Sequence, residues 1–486
     1  MNQFDPPYPS GLPIGDGWLE PAATAPVTFP YDGSLICDAP VADASLAHRA
    51  VDEAVAVAGD VAAAAAHRRR SALEGVNRRL AAHREQFEHL LVLESGKPLV
   101  DCRTEVARTL VTWSAAADEV GRIHGETVAL DAAPSGEGLL GFWVRKPVGV
   151  VVGIAGFNYP LLLASHKIAP AIAAGCPVVI KPAPQTPLAT LWLVHLAREA
   201  LAEAGLPPAA VQMVSGDASV GSALVTDRRI GAVSFTGSAA VGHRIARDAA
   251  PTKTLLELGS NAALVVAADA DLDAAVDAIV RGGYYASGQA CIAVQRVIVV
   301  ESVKDAVVRL LEKRMPEVRL GDPRDPETRV SALIDDRSAD RVEAWVGAAV
   351  NAGANLLAGG TREGRAVTPT LLEGVPDGSD AWDEEVFGPV VAVRSVPDID
   401  AAFDAVNRSR YGLHASVFTT SLDTAMSALE RLEVGGVIVN EVPGFRSDTM
   451  PYGGVKDSGL GREGPRFAIE EMTVTRMAVI RLPRAA

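Results

Sequence analysis

Cysteine is scarce in this chain of 486 residues, with only Cys37, Cys102, Cys176 and Cys291, widely and irregularly spaced. No two form a C-x-x-C pair, which excludes the usual thiolate metal and redox motifs, and so few cysteines cannot make a disulfide scaffold. A reducing cytoplasm is the expected compartment. Long apolar runs are also missing. Glycine, proline or a charge interrupts every stretch before the roughly 18 residues that a membrane helix needs. Residues 1–17 are rich in proline and glycine and lack the apolar centre of a signal peptide. Positive charge is in deficit, with a net charge of −15. That excludes nucleic acid and anionic membrane as natural partners, since both need a basic patch. It leaves room for a small anionic substrate held by one or two arginines. There is no internal repeat and no low-complexity tract.

What is present is ordinary globular composition, 48% apolar and 22% charged. The length predicts two to four domains. Residues 1–45 read as an irregular lead-in, and residues 46–120 as alanine-rich helices interrupted at Gly96 and Pro98. Beyond Trp143 the texture changes. Short β-branched runs at 148–154, 177–180, 212–214 and 232–235 alternate with helical patterns such as 190–204. The alternation restarts after residue 260, with strands at 263–266 and 296–300. Such alternation predicts an α/β fold with parallel sheets in two domains. The end, 472–482, reads as another strand.

Six segments carry candidate chemistry. In SGQACIAVQR, Gly288 permits a tight backbone just before Cys291. A lone cysteine is most often a buried structural residue, so the case needs support from elsewhere. In LLELGSNAALVV, Glu257 stands in an apolar run, where a carboxylate is expensive unless it is paired or protonated. A raised pKa suits a general base; a salt bridge across a domain boundary is the bland alternative. In GIAGFNYPL, Asn158 follows a predicted strand and can either donate to an oxyanion or cap the next helix. In VSFTGSAAVG, a strand meets a helix through Gly237 and Ser238, a geometry that suits phosphate. Lys181 lies at a strand's carboxyl end, where open parallel sheets bind ligands, although most such lysines only face solvent. Glu385 and Phe387 sit beside Gly388-Pro389 on a predicted loop.

Together and in this order these segments resemble the aldehyde dehydrogenase superfamily. The FNYP, KPAPQTP, FTGS, LELG, GQAC, EEVFGP and MPYGGVKDSGLGREG stretches carry the likeness from about residue 31 to the terminal strand. The resemblance implies a Rossmann-like cofactor domain at 1–126 and 145–256. It also implies a catalytic domain at 257–446 and an oligomerisation arm at 127–144 and 470–486. Cys291 is then the nucleophile, Asn158 the oxyanion donor together with the Cys291 amide, and Glu257 the base that activates water. Phe157, Lys181, Gly237, Ser238, Val241, Leu258, Glu385 and Phe387 would surround NAD or NADP. Many NAD-preferring members carry a glutamate where this chain has Pro184, so NADP is expected to be tolerated and the preference stays open.

For the substrate pocket, the resemblance points to Tyr159, Leu163, His166, Ala290, Ile292, Phe445, Arg446 and Arg108. The closest branch handles lactaldehyde, phosphonoacetaldehyde and semialdehydes. Arg108 and Arg446 can serve a substrate anion or a salt bridge. Tyr159 and Ala290 stand where an anion-binding member would place basic groups, which counts against the anion. The expected protein is a cytoplasmic homodimer or homotetramer acting on a small aldehyde, with no metal. Two alternatives stay open. A CoA-acylating relative commonly lacks the glutamate of LELG, and a silent binding protein on this fold would not need Cys291, Glu257 and Asn158.

Overall fold

The computed structural model describes residues 4–21 and 23–481. Its first helices follow the expected alanine-rich pattern: Ala44–Ala63, Ala66–Ala82, Arg84–Ser95 and Leu99–Glu119. The break at LESGKP has a local cause. Gly96 closes the third helix in the left-handed conformation, φ 71°, and Pro98 precedes the fourth. Aspartates start several helices by accepting backbone N–H bonds, among them Asp43, Asp271, Asp335 and Asp398.

One expectation fails early. The lead-in is not irregular throughout, because Ala23–Thr28 and Leu35–Val41 pair as an antiparallel hairpin. Pro26 and Pro40 obscure it in the sequence, and a two-stranded ribbon has free edges on which proline is tolerated.

Two sheets organise the remainder. The first has six strands. Its spatial order is Gly459–Leu460, Lys253–Glu257, Ile230–Thr236, Val150–Ile154, Val178–Lys181 and Val211–Met213. All are parallel except the two-residue edge strand Gly459–Leu460. Its strands are near-continuous apolar runs because both faces are covered. The second sheet has seven strands, centred on Arg296–Val300 and Ala263–Val266, with His414–Phe418 and Gly436–Val439 to one side. On the other side lie Val390–Val396, Thr370–Glu373 and an antiparallel edge, Asn355–Ala358. Cores rich in alanine and valine flank it. This is the expected α/β class.

A third, antiparallel sheet joins Thr473–Arg481, Leu139–Pro147 and Glu126–Val128. Its central strand runs on to Pro147, past the expected end at residue 144. The terminal strand ends at Arg481 within the described residues; Leu482 and the rest of the expected arm lie outside them. The segment after residue 446, which the sequence had left without a place, returns to the first sheet through Gly459–Leu460. No helix among the described residues is long and apolar enough to cross a membrane.

Candidate active site

One cavity of about 1100 Å³ lies at the carboxyl ends of Val150–Ile154, Ile230–Thr236 and Lys253–Glu257 in the first sheet and before the amino ends of Arg296–Val300 and Val390–Val396 in the second. Pockets for a single small ligand run to roughly 300–1,000 Å³, so this one has room for a dinucleotide and a second reactant. Cys291 stands in the stretch that leads from the turn Tyr285–Gly288 into the strand Arg296–Val300. The backbone there is strained: Ala286 and Ser287 hold φ of 49° and 56°, conformations costing non-glycine residues about 1–2 kcal/mol each. Gly288 is required on two counts. Its φ is 70°, and a Cβ would lie 2.0 Å from the Gly388 carbonyl oxygen. Side chains hold the loop in place. Asp101 Oδ2 accepts from the Ala286 amide at 2.9 Å, Ser287 Oγ from the Ser331 amide at 2.9 Å, and Gln289 Oε1 from the Ile334 amide at 3.1 Å.

Asn158 lies between the strand Val150–Ile154 and the helix Pro160–Ala174. Proline at the first helical position fixes where that helix starts. The Asn158 Nδ2 donates to the Gln289 carbonyl at 2.9 Å, which ties the amide to the cysteine loop and leaves its second N–H available. Asn158 therefore does not serve as the cap of the helix that follows it. Glu257 ends the strand Lys253–Glu257 and is 3% exposed. Neither carboxylate oxygen has a hydrogen-bond partner among the described residues. Burial, reinforced by the nearby Glu463 carboxylate, pushes its pKa well above the usual range, against Arg446 and Lys167. Such a group holds its proton to higher pH than an exposed carboxylate does and gains its basic form as pH rises.

The Cys291 Sγ lies 3.1 Å from the Tyr452 hydroxyl. The Arg446 guanidinium stacks on the Tyr452 ring at 3.7 Å and reaches Glu463 at 3.4 Å. Lys167 bonds Glu463 at 3.0 Å and Thr236 at 2.7 Å. Burial acts to raise the Glu463 pKa, but Lys167, His166 and Arg446 hold it well below the usual range. Asp448 takes both ends of the Arg108 guanidinium, at 2.8 and 3.1 Å, and His166 at 3.3 Å. Burial opposes its ionisation, yet these contacts keep its pKa low. Both candidate arginines are thus engaged by protein carboxylates.

On the opposite side, Thr236, Gly237 and Ser238 lead from a strand into the helix Ala239–Ala249. Ser238 makes no side-chain cap bond among the described residues, so the first-turn amides remain open to an anion. Glu385 accepts from the Ser260 amide at 2.9 Å, and burial pushes it up to about 7. A Cβ on Gly259 would approach Glu385 Oε2 to 2.5 Å, so glycine lets this carboxylate enter. Phe157 and Phe387 meet edge to face at 5.7 Å.

The cavity brings together all of the sequence-picked residues except Lys181 and Val241. Lys181 is buried at its strand end, and burial lowers it to about 8. Pro184 is exposed in the turn closed by the Thr186 amide on the Ala183 carbonyl. Tyr452, Glu463, Asp448, Lys167, Asp101 and Glu105 were not picked out. Lys167 alone carried a usable signal, a charge within the apolar run SHKIAPAIAA, the same signal that marks Glu257. No group of three or more potential metal ligands occurs among the described residues.

The two parallel sheets, the cleft between their strand ends and the open helix amides define a dinucleotide-dependent dehydrogenase with a cysteine at its centre. The sequence profile of the aldehyde dehydrogenase family matches residues 18–478. The chain is 43% identical over 404 residues to the 3-sulfolactaldehyde dehydrogenase of Priestia aryabhattai, covering 83% of this chain and 84% of that one. Aldehyde dehydrogenase 21 of Physcomitrella patens, solved in complex with the reaction product succinate, is 37% identical with a TM-score of 0.94, covering 97% and 98%. The NADP-dependent glyceraldehyde-3-phosphate dehydrogenase of Bacillus halodurans, solved with NADP, is 34% identical with a TM-score of 0.94, covering 98% and 100%. The chain belongs to the aldehyde dehydrogenase family.

Proposed function

We propose that this chain oxidises a small anionic aldehyde to its carboxylic acid with NAD or NADP, through Cys291, Asn158 and Glu257. One observation carries the reading. A single cavity holds a thiol, a side-chain amide anchored to the thiol's own loop, and a buried carboxylate with no hydrogen-bond partner among the described residues.

The residues present fit a dinucleotide. The open amides after Gly237 and Ser238 would hold its pyrophosphate, and Glu385 the nicotinamide ribose. Phe157, Phe387 and Leu258 would wall the ring, while Lys181 and Val241 would meet the adenosine end. When bound, the nicotinamide accepts a hydride. The rest falls to this chain's own groups. The Cys291 thiolate attacks the aldehyde carbon and forms a thiohemiacetal. The free N–H of Asn158 and the Cys291 amide stabilise its oxyanion, and loss of one such donor costs about 10²–10³ in rate. Once the hydride has left, a thioester remains on Cys291. Glu257 takes a proton from water, the water oxygen attacks the acyl carbon, and the C–S bond breaks to return the thiolate.

The walls Tyr159, Leu163, Ala290 and Ile292 are close and mostly apolar, which favours a small substrate. Arg108 and Arg446 line the cavity beside Asp448 and Glu463, and they are the cations that an anionic tail would meet there. The sulfolactaldehyde and glyceraldehyde-3-phosphate for which two of the relatives above are named, and the succinate bound to the third, support that class. The four free cysteines support a cytoplasmic setting. The three-stranded sheet supports a homodimer or homotetramer.

The test uses an aldehyde panel with each cofactor. Cys291→Ala is expected to abolish NAD(P)H formation while nucleotide binding, followed by fluorescence, persists. Turnover within about tenfold of the parent overturns the assignment. Glu257→Gln is expected to release one equivalent of NAD(P)H per subunit and then stall, with or without CoA. Normal turnover of that variant, or an acyl-CoA product from the parent, overturns the hydrolytic reading.

A further inference from the structure

The helix Leu99–Glu119 belongs to the first, alanine-rich part of the chain, outside both large sheets. On it stand Asp101, Glu105 and Arg108, spaced i, i+4, i+7, which places them along one face. Each reaches a different loop of the active site. Asp101 accepts from the Ala286 amide at 2.9 Å, within the left-handed stretch that precedes Cys291. Glu105, with no exposed surface, accepts from the Leu161 and Leu162 amides at 2.9 and 3.1 Å, at the start of the helix that follows Asn158. Arg108 grips Asp448 with two bonds, on the loop that carries Phe445 and Arg446.

Lys97 adjoins the second of these contacts. It is 1% exposed, pairs with Glu105, and lays its ammonium 3.7 Å from the centre of the Tyr159 ring, next to Asn158. A buried charge persists only where it is paired and hydrogen-bonded, and these groups meet that condition through the backbone of the loops themselves.

We propose that this helix face is the positioning element of the catalytic centre: Asp101 sets the Cys291 loop, Glu105 the Asn158 loop and Arg108 the Phe445–Arg446 loop. Helical spacing then fixes the three loops relative to one another, although they come from distant parts of the chain. Asp101 and Glu105 touch backbone amides, not the reacting groups, and act as positioning residues. The inference rests on the roles proposed for Cys291 and Asn158. The strain at Ala286 and Ser287 gives Asp101 a specific task, because such a stretch relaxes when nothing holds it.

The experiment separates the two loops with two readouts: alkylation of Cys291 by iodoacetamide in the nucleotide-bound enzyme, and steady-state kcat and KM. Asp101→Ala is expected to change the alkylation rate and to lower kcat by about 10²-fold, the scale of a 1 Å misplacement. Asp101→Asn, which keeps an acceptor for the Ala286 amide, is expected to restore most of both. Glu105→Ala is expected to lower kcat with little change in KM and to leave alkylation as in the parent. Loss of thermal stability with kcat per folded molecule unchanged in both alanine variants overturns the proposal. So does equal damage by Asp101→Asn and Asp101→Ala. An active Cys291→Ala instead sinks the underlying reading, a separate outcome from either of these.

Discussion

At the thiol, local physics runs against reactivity. Desolvation pushes Cys291 up to about 12, with Glu385 and Glu257 adding to the rise and the Tyr452 hydrogen bond opposing it. At pH 7 a thiol of that pKa is ionised to only about one part in 10⁵. The thiol is therefore masked at rest, and a cationic nicotinamide ring held beside it would favour the thiolate, as any nearby positive charge does. Without nucleotide, the rate of Cys291 alkylation is expected to keep rising from pH 7 to pH 10. Adding the oxidised cofactor at pH 7.5 should accelerate it. The check is mass-resolved iodoacetamide labelling across pH; a plateau below pH 8 in the free enzyme would show a thiol that ionises by itself. The three residues at the centre were legible because each breaks a local rule within a recognisable segment: a cysteine after a tight glycine, a carboxylate in an apolar run, an amide after a strand. Tyr452, Asp448, Asp101 and Glu105 break none. Their partners lie far along the chain, 161 residues away for Tyr452 and Cys291, and 340 for Asp448 and Arg108, so no local pattern marks them.

Among the elements, the turn after Val178–Lys181 carries a second test. Pro184 occupies the second position of the turn that spans Ala183 and Thr186, which its fixed φ suits. A glutamate there would accept hydrogen bonds from an adenosine ribose and repel a 2′-phosphate. One charge-assisted hydrogen bond is worth about 1.5–3 kcal/mol, or roughly one to two orders of magnitude in affinity. Pro184→Glu is therefore expected to move the ratio of kcat/KM for NAD over NADP upward by tenfold or more. The parent is expected to use both. Paired kinetics with the two cofactors decide it: a parent confined to NAD, together with an unmoved ratio in the variant, removes Pro184 from the account. Elements buried on both faces were the easiest to read in advance. Ala263–Val266 and Arg296–Val300 lie at the positions their β-branched runs indicate. The hairpin Ala23–Thr28 and Leu35–Val41 was missed because its prolines mimic a loop, and its pairing depends on a partner strand rather than on its own pattern.

For the whole molecule, the three-stranded sheet matters most. Thr473–Arg481 pairs with Leu139–Pro147 along nine residues, and Leu140, Met477, Val479 and Ile480 remain more than two-fifths exposed on the single chain. Exposed apolar side chains on a sheet with an open edge of this kind are a liability unless another surface covers them. Removing residues 473–486 is expected to give monomer or aggregate. Size-exclusion chromatography with light scattering would show it, and a truncated protein that still runs as a stable oligomer excludes this sheet as the interface. The Arg108–Asp448 contact has a consequence in time. Synthesis proceeds at about 5–20 residues per second, so roughly 20–70 s separate the emergence of these two partners from the ribosome. Cys291 emerges before Tyr452 as well. A growing chain therefore exposes an incomplete centre until Asp448, Tyr452 and Glu463 have emerged.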